Sequence, residues 1–127
     1  MQHFLPGKSC KMEKQFMKSS NYLLECCVDS AYSARMAKKG GADRLELCSN
    51  LVIGGTTPTL ALYEQIRNQT DIRIHVLIRP RFGDFLYSED ETALICKEID
   101  AFRAAGADGV VIGSLSPDGS LCTEQLK

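Results

Sequence analysis

From Tyr22 onward, apolar runs of strand length alternate with longer stretches whose apolar residues recur at helical spacing. Tyr22 to Val28 (YLLECCV) reads as a first strand. Asp29 or Ser30 is placed to cap a helix in which Ala31, Ala34 and Ala37 share a face, with Lys38 and Lys39 in its last turn and Gly40-Gly41 ending it. Arg44 to Cys48 (RLELC) is the second strand. After the loop from Ser49 to Thr56, Thr57 is placed to cap a helix with Pro58 at its first position, where a missing N–H costs nothing, and Leu62 and Ile66 face inward. Ile72 to Ile78 (IRIHVLI) is the third strand. It runs through Arg79-Pro80-Arg81-Phe82-Gly83-Asp84-Phe85 into the capping box Ser88-Glu89-Asp90-Glu91, whose helix buries Ile95, Ile99 and Phe102 and ends at Gly106. Val110 to Gly113 makes a fourth strand, and Cys122 to Lys127 the start of a fourth helix.

Gly41-Ala42-Asp43-Arg44-Leu45 and Gly106-Ala107-Asp108-Gly109-Val110 share G-A-D followed by an apolar strand, 65 residues apart. That offset is close to two βα units of ~30 residues each. Repeated βα units imply parallel pairing and right-handed crossovers. A doubly wound open sheet and a (β/α) barrel both accept this pattern, and the strand contents separate them. Glu25 and Cys27, Glu46 and Cys48, and His75 and Arg79 put polar groups at every second position, which suits a barrel with a polar interior near one mouth. The expected fold is α/β, a TIM-like (β/α) barrel truncated to about four βα units, since a complete one takes about 250 residues and this chain has 127.

The chemistry follows from strand parity. Leu24-Glu25-Cys26-Cys27 and Leu45-Glu46-Leu47-Cys48 share L-E-x-C, so two carboxylates and two thiols point to one side of neighbouring strands. Cys27 and Cys48 read either as a pair of soft ligands suited to Cu(I) or as small buried apolar side chains. Glu25 and Glu46 need a cation or donor if buried, and Arg79, ending the third strand on the same face, is the expected partner. A Glu25, Glu46 and Arg79 cluster would either act on a small polar substrate or tie the strands together. Arg79 and Arg81 could bind phosphate or carboxylate, or Arg81 could pair with Asp84. Gly54-Gly55-Thr56-Thr57-Pro58 offers backbone N–H groups to an anion, or a simple turn before a capped helix. Asp43 and Asp108 precede their strands at the opposite mouth, where a stabilising role is expected.

Composition narrows the function classes. With 44% hydrophobic and 24% charged residues the chain is a soluble globular domain, and no run approaches the 18 apolar residues of a membrane span. A formal charge of -1 gives no positive field to attract a phosphate backbone, so neither nucleic acid nor membrane is an expected partner. Six cysteines without CxxC spacing or a secretory segment read as reduced intracellular thiols. Residues 1–20 carry four lysines against Glu13 with no clean period, and are expected to form a disordered tail ahead of a partial barrel domain at 21–127.

Several stretches together resemble the CutC family of copper homeostasis proteins: Glu25-Cys26-Cys27-Val28-Asp29-Ser30, Gly40 to Cys48, Gly54-Gly55-Thr56-Thr57-Pro58, Ile78-Arg79-Pro80-Arg81, Gly83 to Ser88 and Gly106 to Gly113. The resemblance implies a TIM-like barrel, a cytoplasmic setting and a link to copper, with Cys27 and Cys48 where copper-binding cysteines are proposed in animal-type members. Its polar mouth, here Glu25, Glu46 and Arg79, also looks like that of an enzyme acting on an unidentified small molecule. Phe82 stands where the family often has Gly, and Cys122 where an acidic helix cap is common. A four-stranded half leaves two sheet edges open, so an inactive fragment, a shortened isoform and one half of a homo-oligomeric barrel all stand as expectations.

Overall fold

The computed structural model describes residues 22–127, and the tail expected at 1–20 lies outside them. Four strands, β1 (Glu25–Val28), β2 (Arg44–Leu47), β3 (Arg73–Leu77) and β4 (Gly109–Val111), form one parallel sheet in chain order. Between them run α1 (Ala31–Gly40), α2 (Leu60–Arg67) and α3 (Glu89–Ala104), with a short 3-10 turn at Leu51–Ile53. This is a truncated TIM-like α/β arrangement.

Parity decides which face each strand residue occupies. Val28, Leu45, Leu47, Ile74, Val76 and Ile78 are buried together with Ala34, Tyr63, Ile66 and Phe102 from the helices. Tyr63 and Phe102 meet edge to face with ring centres 5.8 Å apart, joining α2 to α3 beneath the sheet. The opposite face carries Glu25, Cys27, Arg44, Glu46, His75 and Leu77, every one of them at least partly exposed. Among the described residues no helix covers that side.

Local chemistry sets the boundaries. Ser30 caps α1 reciprocally with Ser33, and Gly41, at φ 98°, closes it with its N–H on the carbonyls of Ala37 and Lys38. Ser88 and Glu91 form the capping box that starts α3. Two sequence expectations shift. The cap of α2 is Thr59, which accepts the Leu62 N–H, and Pro58 therefore stands before the helix. Thr57 is committed elsewhere: its N–H donates to the Arg79 carbonyl, and its hydroxyl accepts from the Arg79 N–H and donates to Glu98. The helix expected at Cys122–Lys127 is only a turn, Leu126 N–H to Cys122 carbonyl. A bridge between Leu115 and Leu121 and the Ser114 to Gln125 bond instead fold that segment back on the residues that follow β4.

The two G-A-D repeats have the same structural use. Asp43 donates its N–H to the Leu24 carbonyl at 2.9 Å and accepts the Leu24 N–H on its carboxylate at 2.8 Å. Asp108 does the same with Ile74, at 3.1 and 2.9 Å. Each aspartate is thus a two-point clamp onto the preceding strand.

Candidate functional site at the open face and carboxyl ends of the strands

The register places Cys27 beside Glu46, Glu46 beside His75, and His75 beside Gly109, a single row across four strands. Cys27 is exposed, and its thiol donates to Glu46 Oε2 at 3.6 Å. Cys48 continues the same face beyond β2 but is buried, its thiol reaching the Val28 carbonyl at 3.6 Å beneath Gly55. A Cβ on Gly55 would fall 2.8 Å from Leu77 Cδ2 and 3.4 Å from Cys48 Cβ, so that glycine is what lets the loop lie over the thiol.

Both thiols are hard to ionise. Burial raises Cys27, assisted by the negative charge of Glu46 and its hydrogen bond to the thiol. Burial also pushes Cys48 to about 11, with Cys27 and Glu46 contributing. At neutral pH both are neutral S–H groups.

The expected pairing of Arg79 with Glu25 and Glu46 does not form. Glu25 is held by Arg44, its direct neighbour in the β1–β2 register. Arg79 is nine-tenths buried and donates to the carbonyls of Gly54 at 3.3 Å, Gly55 at 3.0 Å and Gly83 at 2.8 Å, with its guanidinium 4.9 Å above the Phe85 ring. It ties together the loops that follow β2 and β3. Glu46 forms no ion pair among the described residues, leaving the Cys27 thiol as its hydrogen-bond partner.

Arg81 is likewise engaged, by Asp84 at 3.1 Å and by Glu91. The carboxyl pKa of both partners is lowered, that of Glu91 first by the Arg81 bond and that of Asp84 first by the Leu86 N–H and then by Arg81. The glycine loop is no anion cradle. The N–H groups of Gly54, Gly55, Thr56 and Thr57 all donate to carbonyls within the protein, because the loop is itself a closed turn.

His75 leans toward β4: a Cβ on Gly109 would lie 2.9 Å from its Cδ2 and Nε2. No group of three or more His, Cys, Asp or Glu side chains among the described residues is arranged to hold a metal ion. Sequence reasoning overlooked Arg44, although its parity with Glu46 was available. Glu98, 41 residues from the Thr57 it contacts, left no signal.

These features define an open, parallel half of a (β/α) barrel with thiols and a carboxylate on its uncovered face. Residues 22–127 match the profile of the CutC family, and the chain belongs to that family. It is 41% identical to the mouse copper homeostasis protein cutC homolog over 124 residues, covering 93% of this chain and 46% of that protein. It is 45% identical to the human homolog over 106 residues, covering 84% and 39%. A crystal structure of CutC from Streptococcus agalactiae superimposes with a TM-score of 0.75 at 28% identity, covering 83% of this chain and 52% of that one. The chain therefore spans about half the length, or less, of these relatives. No described helix is long and apolar enough to cross a membrane.

Proposed function

We propose that this chain serves in copper homeostasis, in the cytoplasm, holding Cu(I) through Cys27 and Cys48. Relatives bearing that name at 41% and 45% identity support the first part. The observation that carries the second is the placement of both thiols on one face of adjacent strands, with the Glu46 carboxylate against Cys27. Cu(I) favours thiolate ligands and is satisfied by two of them. Because both thiols are protonated at neutral pH, metal capture releases protons, and Glu46 is the adjacent acceptor. In competition with a Cu(I) chelator under reducing conditions, the wild-type chain binds one equivalent, and Cys27→Ser with Cys48→Ser loses it. Unchanged affinity in the double variant refutes the assignment.

A second reading rests on Glu46, which has no cation against it among the described residues. In a barrel enzyme acting on a small polar substrate through Glu25, Glu46 and Arg79, that carboxylate is the group free to engage the substrate. Thermal-shift screening with metabolite pools distinguishes the two: stabilisation abolished by Glu46→Gln and retained by the cysteine variants favours the enzyme. Under both readings residues 21–127 act as the domain and 1–20 as an appended tail, which limited proteolysis would remove first.

A further inference from the structure

We propose that the loop from Ser49 to Thr56 is a lid over Cys48, latched by Arg79, and that the two thiols of the copper reading are engaged in fixed order, Cys27 first and Cys48 only when the lid lifts. The order rests on that reading. The lid rests on geometry alone.

The loop is closed on itself. Ser49 and Thr56 exchange backbone hydrogen bonds at its neck, at 2.9 and 2.8 Å, and the N–H groups of Ile53 and Gly55 both donate to the Asn50 carbonyl. The Asn50 side-chain amide donates to the Thr56 hydroxyl at 2.8 Å. Asn50, Gly54 and Gly55 make the left-handed turns this shape requires, at φ 55°, 88° and 86°. A loop bonded internally in this way keeps its form without the body beneath it and moves as a unit about its neck. Asn50 to Gly54 are all exposed, so none of Leu51, Val52 and Ile53 is buried as an anchor.

Among the described residues, the hydrogen bonds from 49–56 to the rest of the protein all come from one atom, Arg79 Nη1, on the carbonyls of Gly54 and Gly55. Cys48, 1% exposed, lies directly under the latched end, where Gly55 packs on it and on Leu77. Cys27 is open on the same face, so a metal ion arriving from solvent meets it first. Lifting the lid leaves Nη1 of a buried guanidinium without acceptors, which makes the open state a rare excursion. These groups sit over β2 and β3, the two inner strands, and the cover is independent of either edge of the sheet.

Labelling of Cys48 by methyl methanethiosulfonate at one fixed pH, read by mass spectrometry, tests the lid. Arg79→Met should be labelled there about tenfold faster than wild type or more, the factor that one hydrogen bond from a charged donor represents, with Cys27 unchanged. Loss of a cation would by charge alone make the thiol harder to ionise and slow the reaction, so acceleration reports uncovering. In the unsubstituted chain the Cys48 rate should be nearly flat in low urea, as local opening requires. A slope as steep as that of global unfolding, or an Arg79→Met rate no faster than wild type, would overturn the lid. Stopped-flow transfer of Cu(I) from a coloured chelator tests the order: a fast phase absent from Cys27→Ser, then a slow phase independent of chelate concentration and absent from Cys48→Ser. A single phase in the wild type would overturn it. If no copper is taken up, the copper reading fails and the order with it, while the labelling still decides the lid.

Discussion

The Asp43 and Asp108 clamps invite a comparison that separates backbone capture from ion pairing. Asp108 accepts the Ile74 N–H and also pairs with Arg67 at 2.7 Å, whereas Asp43 accepts the Leu24 N–H without a salt bridge among the described residues. A hydrogen bond to a charged acceptor contributes roughly 1.5–3 kcal/mol, and a solvent-accessible ion pair roughly 0–1 kcal/mol. Asp43→Ala and Asp108→Ala should therefore cost nearly the same, about 2 kcal/mol each, or about 8 °C in melting temperature for a domain of this size. Asp100→Ala is the control: it removes an exposed pair with Arg103 and no backbone capture, and should cost under ~0.5 kcal/mol. Asn at either clamp keeps a neutral acceptor and should recover roughly half the loss. The assay is urea unfolding at one fixed protein concentration. If Asp108→Ala loses far more than Asp43→Ala, the ion pair dominates and the clamp account is wrong.

Alkylation should rank the thiols by ionisation and exposure, with Cys48 far slower than exposed Cys27 and Cys96; a pKa of about 11 leaves about one Cys48 thiol in 10,000 ionised at pH 7. Its rate, followed by mass spectrometry, should climb about tenfold per pH unit up to that value. Gly109→Ala forces a methyl against His75 and should destabilise by about 1–3 kcal/mol, and adding His75→Ala should relieve most of it in urea melts. Glu91 and Asp84 have carboxyl pKa values lowered in the folded state, so their contribution is complete above the ordinary carboxylate range and disappears as pH falls through those lowered values. Arg81→Gln should accordingly flatten the acid limb of the stability curve.

The sheet was readable because each strand states its parity plainly: Leu45 and Leu47 alternate with Glu46, and Ile74, Val76 and Ile78 with His75. Two of the helix starts were readable for a similar reason, since Ser30 and Ser88 cap with partners three residues away. Thr57 misled because a threonine before a proline carries the same local signal whether or not a distant group claims its hydroxyl, and here Arg79 and Glu98 do. The charge pairing failed for the same cause. Arg79 and Arg44 both lie on the polar face, but only the stagger of β1 against β2, absent from either strand alone, decides that Arg44 meets Glu25.

Arg79 has a mechanical consequence. By holding carbonyls from Gly54, Gly55 and Gly83 at once, and with its backbone bonded in both directions to Thr57, it welds the rims above β2 and β3 into one rigid lip. Hinging of one rim alone would strip a buried guanidinium of its acceptors, a penalty of several kcal/mol. The carboxyl ends of β2 and β3 therefore move as one body, while β1, which carries the exposed Cys27, is not held by this arginine.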